Sequence, residues 1–354
     1  MSRYFSGKYR NLKPYVPGEQ PQDKSYIKLN TNESPFPPSQ KAQEYAMEAV
    51  KNLQLYSDPN CTGITEEMAV LYGVKPTQVF FGNGSDEVLF LAFLAYCDEN
   101  TPAFFPDITY GFYKVFAQFL GIPAVQIPLD KDFCVCIEDY FCLGGTIFIA
   151  NPNAPTGKLL SLIQLEQILQ KNRNHVVVVD EAYIDFGGDS AVKLIDSYDN
   201  LLVTQTFSKS RSLAGGRLGV AFGNEALIAD LQSAKFSMNP YNVNSMTMAA
   251  GLGALKDEVY TRNNCQIIIE NRDYTTIQLR NLGFTVLDSM TNFVLAGNSK
   301  ITGGELYAKL KDRGILVRYF DTDRLKPYVR ITIGTREQMD ALLSAIKEIL
   351  EVSR

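Results

Sequence analysis

Four short stretches carry residues able to do chemistry together. Lys209 stands between Ser208 and Ser210, directly after the apolar run LLVTQTF at 201–207. A glycine-rich turn with one arginine, AGGRLG at 214–219, follows it and contains Arg217. Asp180 ends a second apolar run inside VVVVDEAY at 176–183, with Tyr183 close behind. A third run, VFF at 79–81, passes into GNGS at 82–85 and then into a helix-like stretch with Asp86 and Glu87 in its first turn. An amine whose pKa is lowered by its surroundings can form an imine with a carbonyl. A buried carboxylate can keep a ring nitrogen protonated. Backbone N–H groups at a helix start, with an arginine beside them, suit a phosphate. Each feature alone has an ordinary reading: a βα loop, a helix cap or ion-pair partner, a solvated lysine.

What must position these groups is a sheet whose strands end at one edge. The strand candidates at 146–150, 175–179 and 201–207 lack polar alternation and are spaced for helical crossovers. That predicts a parallel sheet covered on both faces. Shorter candidates lie at 79–81, 101–105 and 124–127, and 40–55 reads as a helix. Between the first two long strands a helix opens with a capping box, Ser161 with Gln164, and carries Leu165, Ile168 and Leu169 on one face. Ligands of such sheets bind beyond the carboxyl ends of the strands, where the lysine, the carboxylate, the arginine and the turn all fall, beside NPNAPTG at 151–157. Residues 1–40 are proline-rich and read as an extended arm. Residues 41–256 read as a large α/β domain and 257–282 as one long connecting helix. Residues 283–354 read as a small α+β domain, with strands near FTVLDS, NFVLAG, GILVRYF and YVRITIG. A helix is expected near 304–313, and a last one, capped by Thr335 and Gln338, presents Met339, Leu342, Leu343, Ile346 and Leu350.

Composition removes several function classes. The 354 residues are 45% hydrophobic and 21% charged, as in an ordinary globular protein. Thirty-four Lys and Arg against 39 Asp and Glu leave a formal charge of −5, with no basic field for a nucleic-acid backbone. No apolar run approaches the ~20 residues of a membrane span. MSRYFSGKYRNLKPY has basic residues but no apolar core of a secretory signal, so a cytoplasmic protein is expected. The chain has one histidine, His175, and no tryptophan. His175 opens a strand at the end away from the chemistry and reads as structural. Cys134, Cys136 and Cys142 are spaced C-x-C-x5-C, without the paired C-x2-C of a zinc site. Cys134 and Cys136 alternate with Phe133, Val135 and Ile137, which predicts small buried thiols on a strand and no metal. The other cysteines, Cys61, Cys97 and Cys265, are scattered and read as reduced thiols.

Lysine, aspartate, arginine and anion-binding turn at these spacings describe a site for pyridoxal 5'-phosphate, an electron-sink cofactor with a phosphate, a ring nitrogen and an aldehyde. The chain resembles the fold-type-I pyridoxal-phosphate aminotransferases of class II, and within them the histidinol-phosphate aminotransferases. The resemblance spans nearly the whole chain. It rests on NLKPY at 11–15, LNTNESP at 29–35, LYSDP at 55–59, GNGSDE at 82–87, NPNAPTG at 151–157, VVDEAY at 178–183, TFSKSRSLAGGRLG at 206–219 and RITIGTRE at 330–337. It implies a large domain with a mixed, mostly parallel sheet, and amino transfer from histidinol phosphate to 2-oxoglutarate in histidine biosynthesis. It implies that Lys209 holds the cofactor as an imine and moves the proton at the substrate Cα. Asp180 would pair with the ring nitrogen, Tyr183 would bond the phenolic oxygen and Tyr110 would stack on the ring. Ser208, Arg217 and the backbone at Ser85 and Asp86 would hold the phosphate, with Tyr56 reaching it from the other subunit of a homodimer. Arg330 would clamp the substrate carboxylate, and Arg318, with Tyr15 and Asn32, would face the distal phosphate.

The family usually has Asn directly before PTG, where this chain has Ala154. Either Asn153 takes over the bond to the phenolic oxygen or Tyr183 acts alone. Two rivals keep the cofactor: a threonine-phosphate decarboxylase of the cobalamin pathway and an aromatic-amino-acid aminotransferase. A dinucleotide-binding dehydrogenase would need G-x-G-x-x-G, and Glu87 stands where the third glycine belongs. A binding module without catalysis has no use for lysine, aspartate and phosphate cup together.

Overall fold

The computed structural model describes residues 2–352. The arm contributes a two-residue strand, β1 (Ile27–Lys28), and is followed by α1 (Gln40–Ala49) and α2 (Thr62–Tyr72). The next segment alternates β2 (Val79–Gly82), α3 (Gly84–Tyr96), β3 (Ala103–Pro106), α4 (Phe112–Leu120), β4 (Ala124–Ile127), β5 (Thr146–Ala150), α5 (Leu162–Lys171), β6 (Val177–Asp180) and β7 (Leu201–Thr206). After them come β8 (Gly219–Gly223), α6 (Glu225–Met238), α7 (Ser245–Leu255) and α8 (Glu258–Asn281). The remainder runs β9 (Phe284–Val286), β10 (Phe293–Asn298), α9 (Gly303–Asp312), β11 (Ile315–Leu316), β12 (Arg318–Tyr319), β13 (Tyr328–Thr332) and α10 (Arg336–Val352).

Among the described residues, seven strands form one sheet in the order β2-β8-β7-β6-β5-β3-β4. The pairs from β7 to β4 are parallel, and β8 is antiparallel to both its neighbours. Every strand of this sheet except β8 therefore points the same way, and Gly82, Ala150, Asp180 and Thr206 end at one edge. The register sets Asp180 opposite Ala150 on one side and Thr204 on the other. Strands β5, β6 and β7 are buried along their whole length. Their faces feed two separate cores, one holding Ile147, Val177 and Val203, the other Phe148, Val178 and Leu202. This is the period-2 alternation of a strand buried on both sides.

A second sheet, β12-β13-β10-β9, is antiparallel, and in it Arg318 pairs directly with Arg330. Strand β1 of the arm pairs parallel with β11, so the arm is fastened to this second body of sheet and helix. The core around β10 and β13 also takes in Leu29, Ala154, Tyr183 and Phe186. Helix α5 opens with the reciprocal Ser161–Gln164 capping box, and α10 opens with Thr335, just before it, and Gln338, in its first turn, bonded the same way.

One expectation needs correction. No strand lies at 133–137. Asp130 accepts hydrogen bonds from the backbone of Asp132 and Cys134, both at 2.8 Å, which turns the chain into a loop. Phe133 adopts a left-handed φ of 61°, Cys134 and Cys136 are half-exposed and Cys142 is exposed, so these are not buried thiols. Strand β8 has no counterpart among the sequence expectations. GVAFG has glycine at both ends and three apolar residues, a weak signal of its own. Its neighbours β2 and β7 nevertheless capture it as an antiparallel strand. Among the described residues, no group of His, Cys, Asp and Glu is arranged for a metal, and no helix is long and apolar enough to cross a membrane.

Candidate active site

Two adjoining cavities open at the carboxyl edge of the large sheet. The inner one, of about 440 Å³, is lined by Ser85, Asp86, Tyr110, Asp180, Tyr183, Ser208, Lys209 and Arg217. The outer one, of about 640 Å³, is lined by Tyr15, Asn32, Arg318 and Arg330 among others. Thr31, Tyr110, Ala154, Tyr183 and Lys209 belong to both and form the wall between them.

Lys209 follows β7 and its ammonium lies 3.4 Å from the Thr31 carbonyl oxygen and 5.9 Å from the centre of the Tyr183 ring. Burial, then the field of Arg330, pulls its pKa down to about 8. Asp180, the last residue of β6, is buried and accepts from the Tyr113 hydroxyl at 2.9 Å and Thr204 Oγ1 at 3.3 Å. Burial pushes its carboxyl up to about 6, with these two donors pulling the other way. A cation beside it would bring it down again. Tyr113 and Thr204 were not expected. The signal for Tyr113 is its place one helical turn after Tyr110, and for Thr204 a lone hydroxyl in a buried strand in register with Asp180.

The turn GNGS leads into α3, so Ser85 and Asp86 lie in its first turn, where backbone N–H groups are free of helical partners. Arg217 pairs with Asp86 at 2.9 Å, and Tyr110 donates to the other oxygen of Asp86 at 2.5 Å. Gly219 brings β8 so close that a Cβ there would sit 2.3 Å from the Ser85 nitrogen. The cup is therefore built from a helix start, an arginine in a left-handed turn (φ 55°) and the buried hydroxyl of Ser208.

Not every expected residue arrives. Asn153 is turned away from both cavities. Its Oδ1 accepts from Thr109, and its Nδ2 donates to the Ile108 carbonyl and to Thr156. It is spent on its own loop and does not stand in for the asparagine that Ala154 replaces. Asn32 lines the outer cavity, but its amide is also taken, donating to the Tyr183 hydroxyl at 2.9 Å and accepting from Thr332 at 3.1 Å. Its amide thus holds the Tyr183 hydroxyl from the outer cavity's wall. Tyr56 lies in neither cavity. It is 83% exposed, stacked on Tyr241 with ring centres 4.5 Å apart.

Arg318 and Arg330 lie opposite each other on neighbouring strands. Among the described residues neither meets a carboxylate. Arg318 donates to the carbonyls of Val16 and Pro17 in the arm, Arg330 to that of Asn30, and Phe320 lies against both guanidiniums. Like charges directly opposite on a sheet destabilise it, so the pair is chemically suited to receive an anion. Tyr15 lies nearby, stacked on Phe112 with ring centres 4.2 Å apart.

Comparison with known proteins identifies the arrangement. The profile of aminotransferase class I and II matches residues 24–346. A histidinol-phosphate aminotransferase of Brachyspira hyodysenteriae is 49% identical over 99% of this chain and 100% of its own. One of Marinomonas sp. is also 49% identical, over 99% and 100%. Among solved structures, the histidinol-phosphate aminotransferase of Sinorhizobium meliloti, in complex with pyridoxal-5'-phosphate, superposes with a TM-score of 0.90 at 22% identity, covering 100% of this chain and 99% of that one. That likeness establishes the fold, the fold-type-I arrangement of a mixed, mostly parallel sheet.

Proposed function

The chain belongs to aminotransferase class I and II; from that premise we propose that it transfers the amino group of histidinol phosphate to 2-oxoglutarate, with pyridoxal 5'-phosphate as cofactor. The observation that carries this reading is the paired cavities. The inner one sets an amine and a carboxylate beside a phosphate cup, and the outer one adds two arginines with no acid of their own. The inner cavity fits the cofactor in charge and in order: Arg217 and the start of α3 for the phosphate, Asp180 for the ring nitrogen, Lys209 for the carbonyl carbon.

When bound, pyridoxal phosphate supplies a ring that draws electrons from the substrate Cα and a carbonyl that exchanges oxygen for an amine. The chain does the rest. Lys209 would hold the cofactor at its carbonyl carbon and, as a free amine, would carry the proton at the substrate Cα. Its lowered pKa keeps a usable fraction of free amine. Asp180, fixed by Tyr113 and Thr204, holds the proton on the ring nitrogen. Tyr183, oriented by Asn32, bonds the phenolic oxygen alone, since Ala154 offers no side-chain donor. Tyr110 stacks on the ring, and Ser85, Asp86, Ser208 and Arg217 hold the phosphate.

Histidinol phosphate carries its only anion on one arm of the amine-bearing carbon and an imidazole on the other. Arg318 and Arg330, as cross-strand neighbours, then share that phosphate, and in the return reaction they share the α-carboxylate of glutamate. This replaces the expectation of one arginine for each end of the substrate. The same reading makes the protein a homodimer. Tyr56, Leu55 and Met47 are each exposed apolar side chains, and Tyr56 would reach the phosphate of the second copy. Six free cysteines accord with a cytoplasmic place. The division into an arm (1–40), a large domain (41–256), a connecting helix (257–282) and a small domain (283–354) remains part of the proposal.

The test is to offer the purified holoenzyme histidinol phosphate with 2-oxoglutarate and to follow glutamate, with phosphothreonine and phenylalanine as comparison donors. Glutamate formation fastest with histidinol phosphate is expected. Carbon dioxide release from phosphothreonine without glutamate would turn the reading to a decarboxylase.

A further inference from the structure

An enzyme of this kind must seat two unlike side arms in one place. The donor presents an imidazole, neutral or cationic, whereas glutamate presents a carboxylate. With Arg318 and Arg330 on the anion common to both, and Lys209 at the reacting carbon, three charged groups remain on the wall of the outer cavity: Asp107, Asp323 and Arg324. The Asp323 side chain is fully exposed and leans on Lys326 at 3.4 Å. Asp107 and Arg324 are different. Their side chains are 28% and 35% exposed, and their nearest charged atoms stand 3.8 Å apart, a loose pair.

Each member of the pair is anchored without the other. Asp107 Oδ1 accepts from the Leu129 N–H at 2.9 Å, which leaves Oδ2 without a hydrogen bond among the described residues. Arg324 donates to the Leu129 carbonyl at 2.9 Å and to the Asp130 carbonyl, and stacks over the Phe133 ring at 4.7 Å. The loop that carries Cys134 and Cys136 thus holds a carboxylate and a guanidinium side by side on the wall of the outer cavity. A half-exposed pair at this distance contributes little to stability, so a ligand can take either member without a large loss.

We propose that the Asp107–Arg324 pair discriminates between the two substrates: Asp107 Oδ2 accepts the imidazole N–H of the donor, and Arg324 takes the side-chain carboxylate of glutamate. The assignment rests on histidinol phosphate being the donor. A fixed carboxylate alone would repel glutamate, and a fixed guanidinium alone would repel an imidazolium. Side by side, they let one cavity serve both halves of the reaction.

The test separates the half-reactions on the cofactor-loaded enzyme, following the cofactor absorbance in single turnovers with histidinol phosphate and, separately, with glutamate. Asp107→Ala should lower kcat/KM for histidinol phosphate by roughly ten- to a hundredfold, the range of a charge-assisted hydrogen bond. The same change should raise the value for glutamate. Arg324→Met, which keeps an apolar stem against Phe133, should show the reverse bias. Asp107→Asn retains an acceptor for Leu129 and should fall between wild type and Asp107→Ala, which guards against a folding defect. Equal losses in both half-reactions for the Asp107 variants would overturn this inference while leaving the donor assignment standing. A wild-type enzyme that converts glutamate but not histidinol phosphate would overturn the donor assignment, and this inference with it.

Discussion

A primary amine attacks a carbonyl only when it is unprotonated, and an ordinary lysine near pH 7 almost never is. Lys209 escapes this through burial and the nearby guanidinium of Arg330, which together bring it to about 8. The sign is fixed: below that pH the protonated form dominates and the free amine falls about tenfold per unit. Capture of pyridoxal phosphate by the apoenzyme should therefore accelerate from about pH 6 to pH 8 and then level off, as rapid-mixing absorbance would record. Borohydride should fix the cofactor onto Lys209, and Lys209→Ala should abolish that product. Reduction onto another lysine would refute the assignment. Asp180→Asn keeps the shape but cannot hold the ring-nitrogen proton as a charged partner. Cofactor binding should survive while kcat drops roughly a hundredfold or more, the order seen when a preorganised charge partner is removed. Legibility at this level followed sequence distance. Lys209 and Asp180 announce themselves because each ends or follows an apolar run, and Arg217 because it is the one charge in a glycine-rich turn. Tyr113 and Thr204 do not, because only strand register and a helical turn bring them to Asp180. Asn153 misled because its neighbours Thr109 and Ile108 come from a distant loop and take its amide first.

Among the elements, those with strong local signals were foreseen and those made by their neighbours were not. The Ser161–Gln164 box opens α5 as its residues dictate. Strand β8 has no such signal, since it owes its existence to pairing on both sides. The loop around Cys134 fails the strand expectation because the Asp130 carboxylate competes for the backbone N–H groups that a ladder would need. Strand β8 also presses on the phosphate cup. At Gly219 an added Cβ would meet the Ser85 nitrogen at 2.3 Å and the Gly84 carbonyl carbon at 2.4 Å. Gly219→Ala must push the start of α3 away from the strand. The affinity for pyridoxal phosphate should fall by about tenfold or more, read by equilibrium dialysis, with the circular dichroism spectrum retained. Unchanged affinity would mean that the helix start is not what grips the phosphate.

The described molecule leaves one expected contributor stranded. Tyr56 sits on the outside of its own chain, 83% exposed, with Leu55 beside it. In a dimer that shares its sites, mixing Tyr56→Ala chains with Lys209→Ala chains gives hybrids with one complete site each. The mixture should exceed the summed activity of the parents, and sedimentation should report a dimer. An active monomer, or strictly additive activities, would remove Tyr56 from the site. The two bodies of structure also divide the labour. In the proposed reading the cofactor is gripped at the ends of β2, β6, β7 and β8, whereas Arg318 and Arg330 stand on β12 and β13 of another sheet. A duplicated gene could therefore drift in what its product accepts through changes at residues 318–330 and at Asp107, while the chemistry inherited from the ancestor stays intact. New appetites in such a lineage would arise around the outer cavity, and the older, shared part of the ancestry would be written around Lys209.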